Sequence, residues 1–260
     1  MRPGTPGLEN FNNPKLSTDD VRGLEQIAAA AWPAVERQHL DGWVLRASPS
    51  PPRRVNSVFP NACAGAMIFS DRIAAVENFY AARNQPPRFQ VTRGSLPDGL
   101  DDELEQRGYE VEAPVDIQIT RAEAMTTPAS AEGTIHVGDE LTPAWTEVYA
   151  AGFNRDVSAV IKQITGHPAF LTFQRDDEVL GVALGVYESA WLGIFGMQTR
   201  QSMRGKGIGS LMLKGLADWA VAQGVRGLYL QVEQSNPRAR ALYERFGFRT
   251  VYAYHYRTLF

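Results

Sequence analysis

The chain has 260 residues, more than the commonest single-domain size of about 100 to 150, so it has room for two globular units. With 44% hydrophobic and 21% charged residues its composition is ordinary for a globular protein, which excludes a disordered chain. A net charge of -3 excludes a protein that binds nucleic acid by neutralising many phosphates, because that requires a basic surface.

Residues 1–16 are rich in Gly, Pro and Asn without periodicity and read as an irregular arm. They lack the basic flank and apolar run of a signal peptide, and no segment reaches the roughly 18 apolar residues of a membrane span. A cytoplasmic protein with no membrane partner is expected. Ser17 and Thr18 precede Val21, Leu24, Ile27 and Ala28 at helical spacing, the pattern of a capped helix. Strands are expected over 42–47 and 54–59, separated by a Ser-Pro-Ser-Pro-Pro turn. Cys63 is the sole cysteine, so no intrachain disulfide and no multi-Cys metal site can form. Its Ala and Gly neighbours point to small-residue packing, with nothing nearby in sequence to lower its pKa. A helix over 71–82 places Ile73, Val76, Phe79 and Tyr80 on one face. A strand over 89–92, a helix over 100–107 and a strand over 110–121, interrupted at Pro114, complete this half.

The stretch 122–133 holds Ala, Thr, Ser, Pro and Gly without an apolar period and reads as a linker between 17–121 and 134–260. Beyond it come a helix over 142–153, strands over 170–174 and 179–187 around an Arg-Asp-Asp-Glu turn, and a strand over 191–199. An amphipathic helix over 209–223, a strand over 228–232, a helix over 237–246 and a closing strand over 248–257 follow. The halves share a period. An offset of 139 residues sets Phe248 on Tyr109, Gly247 on Gly108, Glu244 on Glu105 and Leu228 on Phe89. One residue of slip also matches Ile73, Val76 and Phe79 to Leu213, Leu216 and Trp219. Tandem duplication accounts for this order, although a helix with a Gly cap followed by a strand can also arise independently.

Arg204-Gly205-Lys206-Gly207-Ile208-Gly209 lies between a strand and a helix. The first turn of a helix has N–H groups without intrahelical partners and an electropositive dipole end, which together suit an anionic pyrophosphate. Glycines let the backbone approach such a ligand closely, and Arg204 and Lys206 add charge. Taken alone, the segment is equally a Gly-rich turn with no ligand. The spacing is neither that of a Walker A loop nor that of a Rossmann fingerprint.

The wider segment decides between these readings. Arg204, Gly207 and Gly209 in the loop, Leu211, Leu213 and Leu216 along the helix, Leu228 to Val232, then Asn236, Ala239, Tyr243, Gly247 and Phe248 follow one another in order. This series resembles the acetyl-CoA-binding core of GNAT-superfamily N-acetyltransferases. The resemblance implies an α+β, sandwich-like fold for 134–260, with a mixed, mostly antiparallel sheet flanked by helices. It implies acetyl-CoA as cosubstrate and no metal. Backbone at Met197, Gln198 and Thr199 would line the pantetheine arm between two splayed strands, and Gly205, Lys206, Gly207, Ile208, Gly209 and Ser210 would hold the pyrophosphate. Tyr243 matches the tyrosine that such enzymes place near the sulfur, where it can protonate the leaving thiolate. A neutral amine would attack the thioester directly, with both substrates held together.

Other residues stay open at this level. Asn236 suits a bond to the cofactor arm and equally an N-cap before Pro237. Glu233 is a candidate base acting through water, or a solvated strand-end residue; His255 and Glu188 are weaker candidates. At the offset of 139, Tyr243 falls on Leu104 and Asn236 on Pro97, while the loop position reads Asn61-Ala62-Cys63-Ala64-Gly65-Ala66. The first half is thus expected to be a degenerate GNAT-like unit, lacking the anion cradle and the hydroxyl, that completes the fold or shapes an acceptor pocket. Arg53, Arg54, Trp43 and Trp32 could contribute there, or serve as surface charge and core aromatics. The expected acceptor is a small-molecule amine, and the expected assembly a monomer or homodimer. A non-catalytic acyl-CoA-binding module, a longer acyl donor and a hydroxyl acceptor are the competing functions.

Overall fold

The computed structural model describes residues 16–49, 52–125, 132–153 and 156–260. Most of the irregular arm, the centre of the linker and two residues of the Ser-Pro-Ser-Pro-Pro turn lie outside them. The first helix begins at its expected cap: the Ser17 hydroxyl accepts from the Asp20 N–H at 3.1 Å, and the Asp20 carboxylate accepts from the Ser17 N–H at 3.0 Å. The helices are α1 (Thr18–Ala31), α2 (Phe69–Ala81), α3 (Leu100–Gln106), α4 (Pro143–Phe153), α5 (Ser158–Ile161), α6 (Ile208–Ala222) and α7 (Pro237–Arg245). The strands are β1 (Glu36–Leu40), β2 (Trp43–Ala47), β3 (Val58–Phe59), β4 (Arg88–Val91), β5 (Glu110–Arg121) and β6 (Thr134–Gly138). They continue with β7 (His167–Arg175), β8 (Glu178–Glu188), β9 (Trp191–Thr199), β10 (Gly227–Glu233) and β11 (Arg249–Thr258).

One mixed, mostly antiparallel sheet runs in the order β1-β2-β3-β4-β11-β5-β10-β9-β8-β7-β6, as the α+β expectation requires. Among the described residues only β3 with β4 and β9 with β10 pair in parallel. The closing strands are exchanged. β11 lies between β4 and β5, and β5 lies between β11 and β10, so each half contributes a strand to the other's part of the sheet. Apolar residues of α2 and α3, and of α6 and α7, pack on one face. Those of α1, α4 and α5 pack on the other, where α1 reaches across to β8 and β9.

The repeat seen in the sequence recurs in space. α2 and α6, β4 and β10, and β5 and β11 start at Phe69 and Ile208, Arg88 and Gly227, and Glu110 and Arg249. Gly108 and Gly247 share a left-handed conformation, φ 82° and 76°, that terminates the preceding helix. In each the following aromatic N–H donates back, Tyr109 to Leu104 O at 3.0 Å and Phe248 to Tyr243 O at 3.1 Å.

The strand expected over 54–59 is a correction. Arg53–Val55 forms a 3-10 turn and only Val58–Phe59 joins the sheet. The Asn56 side chain accepts from the Ser48 N–H at 2.8 Å and donates to Pro52 O at 3.2 Å, replacing ladder bonds with side-chain ones. The interruption at Pro114 is a bulge: Ala113 has φ 45° and the register with β11 shifts there. β1, β6 and the short α5 were not anticipated. Both strands are sheet edges: β1 is largely exposed, so no buried face imposes an alternating pattern, and β6 turns only Ile135 and Val137 toward the core, an alternation too short to stand out.

Candidate active site

β9 and β10 pair from Trp191↔Gly227 to Ile194↔Leu230 and then separate. β10 continues beside β5 to Glu233, and β9 continues beside β8 to Thr199. A bulge helps to turn β9 away: the register with β8 shifts between Val182 and Leu184, and Gly196 adopts φ 57°. Met197, Gln198 and Thr199 thus have one strand edge without a neighbouring strand. In this state the Gln198 side chain accepts from the Thr199 N–H at 3.1 Å and from Arg204 at 3.1 Å.

The glycine-rich loop enters α6 beside this opening. Gly205 and Gly207 have φ 84° and 82°, a conformation that side-chain-bearing residues rarely adopt. Gly207 is the α6 N-cap and supplies no side-chain acceptor. Ser210 and Leu211 donate to Gly207 O at 2.9 and 3.2 Å, whereas the N–H groups of Gly205, Lys206, Gly207, Ile208 and Gly209 make no hydrogen bond among the described residues. A cluster of donors at the positive end of a 15-residue helix fits a pyrophosphate. Lys206 Nζ lies 3.4 Å from Met203 Sδ, with no carboxylate on it among the described residues.

Tyr243 extends from α7 toward the same opening, its hydroxyl 3.9 Å from Met197 Sδ and its ring edge-on to Phe248. Burial pushes its pKa up to about 12. Asn236 caps α7, accepting from the Ala239 N–H at 3.1 Å; its amide is exposed and retains donors for a second partner. Glu233 ends β10 on the opposite face, exposed and 3.5 Å from Arg53. His255 bonds to Asp101 of α3 at 2.9 Å, and Glu188 pairs with Trp191 at the far end of β9, roughly 25 Å of strand from Thr199. The structure brings neither to the opening.

The counterpart loop before α2 corrects one expectation. Its backbone cradle is present and is filled by the chain itself. Gly65 has φ 74°, and the Ala66 and Met67 N–H groups donate to the Asp41 carboxylate at 2.9 and 3.2 Å. Arg72 pairs with the same carboxylate, both side chains being almost wholly buried at 3% and 2% exposure. These contacts, led by the Ala66 N–H, hold Asp41 below its ordinary pKa. Gly42 permits the approach: a Cβ there would lie 2.8 Å from the backbone of Ala62 and Cys63. Cys63 is exposed rather than packed, and Arg72 donates to its sulfur at 3.2 Å, a neighbour nine residues away in sequence.

Trp43 belongs to the core of the first half, fully buried with its indole N–H on Leu96 O at 2.7 Å, so it plays no part at the opening. Trp32 does reach across, stacking on Phe195 at 5.3 Å. Arg53 pairs with Glu112 and Glu233, while the Arg54 guanidinium lies over the Phe195 ring at 5.7 Å.

A family model described as "Probable histone acetyltransferase Rv0428c C-terminal" matches residues 18–257. The "Uncharacterized N-acetyltransferase YobR" of Bacillus subtilis is 30% identical over 92% of this chain and 98% of its own length. The "Probable histone acetyltransferase Rv0428c" of Mycobacterium tuberculosis is 26% identical over 93% of this chain and 75% of its own. A GCN5-related N-acetyltransferase from Kribbella flavida superimposes with a TM-score of 0.70 at 12% identity, covering 94% of this chain and 95% of that one. A tandem GNAT protein from the clavulanic acid biosynthesis pathway superimposes with a TM-score of 0.57 at 10% identity, covering 76% and 72%. These two structures share the fold.

Proposed function

The chain belongs to the GNAT acetyltransferases, within the family whose model spans residues 18–257, and from that premise we propose that it transfers an acetyl group from acetyl-CoA to a primary amine of a small molecule. One observation carries the donor assignment: N–H groups without partners at the start of α6 beside the unpaired edge of β9. The cosubstrate supplies a thioester, an acyl carbon open to the amine with a thiol as leaving group. Gly205 to Gly209 bind its pyrophosphate through backbone N–H groups, Ser210 is left only its hydroxyl because Gly207 O takes its N–H, and the free edge of Met197 to Thr199 takes the pantetheine amides as a strand neighbour would. The side chains of Gln198 and Arg204 withdraw from that edge on binding. Asn236 keeps its capping bond and donates its amide to the arm.

Strand alternation divides the chemistry between two faces. Met197 packs with Tyr243 on the α6 and α7 face, whereas Gln231 and Glu233 alternate with buried Leu230 and Val232 and lie on the α1 face. The donor enters from one side and the acceptor from the other, meeting where β9 and β10 part. Tyr243, neutral through the working range, donates its proton to the leaving sulfur. Glu233 collects the ammonium proton through water on the opposite side. The protein works as a cytoplasmic enzyme without a metal.

Titration calorimetry with acetyl-CoA and a turnover screen over an amine library test this reading. Tyr243→Phe is expected to lower kcat about 100-fold while leaving the acetyl-CoA Kd within about twofold. Because the hydroxyl titrates only near 12, the wild-type rate shows no alkaline decline from this group below about pH 11. Full turnover in Tyr243→Phe would remove the proposed acid; failure of the wild type to bind acetyl-CoA would remove the donor.

A further inference from the structure

Where the two strands part, the first unpaired residues are Phe195 on β9 and Gln231 on β10. Gln231 accepts from the Tyr254 hydroxyl at 2.9 Å, which lies 3.3 Å from the Tyr256 hydroxyl. Arg54, from the first half, completes this wall: its guanidinium lies over the Phe195 ring, hydrogen-bonds to Tyr254 and lies beside Tyr256, Glu25 and Arg46. Its Nε is buried without a hydrogen-bond partner, although the residue as a whole keeps some exposure. Among the described residues no carboxylate comes within ion-pair distance of it. Glu25, the acid on this face, attracts Arg54 through space but accepts its hydrogen bonds from Tyr252 at 2.9 Å and Gln90 at 2.7 Å. Arg46 differs, being satisfied by Ser57 and Gln90. A guanidinium with a buried, unpaired donor is costly to hold, and its planar fork matches a carboxylate with two parallel bonds.

Resting on the acetyl transfer read above, we propose that Arg54 binds a carboxylate of the acceptor, and that the acceptor is a small amine carrying a carboxylate, of the free amino-acid class. Glu233 lies two residues beyond Gln231 on the same strand face, about 7 Å along β10, and receives the ammonium end. The Trp32 and Phe195 rings supply an apolar wall between the charges. The first half thus sets acceptor specificity for the second: Arg54 and Trp32 come from one, Phe195 and Glu233 from the other.

The test compares acetylation of matched trios: phenylalanine, phenylalaninamide and phenethylamine, with equivalent trios of an aliphatic and an acidic amino acid, and a basic lysine peptide. In the wild type, kcat/KM for the best carboxylate is expected to exceed that for its carboxamide about 100-fold, mostly through KM. Arg54→Gln brings that ratio to about one, and Arg54→Lys restores part of it. Equal use of acid and carboxamide by the wild type overturns the inference, and this arm needs no variant to fold. Preference for the lysine peptide also overturns it, leaving acetyl transfer intact. Turnover of no amine at all defeats the acetyl-transfer reading, and this inference with it.

Discussion

The loops before α2 and α6 stand at corresponding places in two halves, each opening a helix and each bent by a left-handed glycine, Gly65 or Gly205. Before α2, the N–H groups of Ala66 and Met67 already hold Asp41, locked by Arg72. Before α6, the N–H groups of Gly205 to Gly209 hold nothing among the described residues. The carboxylate of Asp41, the residue immediately after β1, serves the first loop as a permanent counter-ion, so that half keeps its geometry without an outside anion. The same contrast runs through the helices that follow. Leu104 of α3 is fully buried core, whereas Tyr243, at the corresponding place on α7, carries a hydroxyl to the edge of β9. A loop of this geometry can therefore be filled from within the chain.

Paired substitutions in the two loops test this contrast. The largest expected effect is on donor binding. Gly207→Val raises the acetyl-CoA Kd by about 100-fold or more, because a side chain at φ 82° displaces N–H groups that bond a charged ligand. Gly65→Val, at φ 74°, changes that Kd less than about twofold. Calorimetry on both variants decides the matter, and similar losses in the two would erase the distinction between the loops. Next in size is stability. Arg72→Met strands a buried carboxylate and lowers Tm by about 6–12 °C in a thermal scan, with acetyl-CoA affinity of the folded protein unchanged. A weakened affinity would mean that the first loop takes part in donor binding.

The smallest effect is on acid stability. Asp41 has a folded-state pKa below its ordinary value, so its contribution is fully present above the unfolded pKa and is lost as pH falls through the folded one. Asp41→Asn therefore shows a shallower loss of Tm than the wild type as pH falls below about 4. An unaltered acid slope would show that the clamp is not an ionised carboxylate.

Much of the second half was legible in the sequence because its signals are local. The strand ending at Thr199, the glycine loop, the apolar stripe of α6 and the cap at Asn236 depend on neighbours within a few residues. The Gly108 and Gly247 caps exposed the repeat for the same reason. The first half read less well at its ends. β1 is an edge strand of exposed residues, and the segment over 54–59 gave up most of its strand to side-chain bonds from Asn56.

Legible from the residues alone are thus the α+β class, the order of most elements, and which half carries the glycine loop and the tyrosine; these follow from backbone preference and helical or strand period. Only the tertiary structure decided that β5 and β11 trade places, that Asp41 fills the loop 25 residues ahead of it, and that Arg54 meets Phe195 at the mouth of the other half's cleft. Each of those joins residues far apart along the chain. Packing and charge compensation select such contacts only after the sheet has brought the strands together, and no local period announces them.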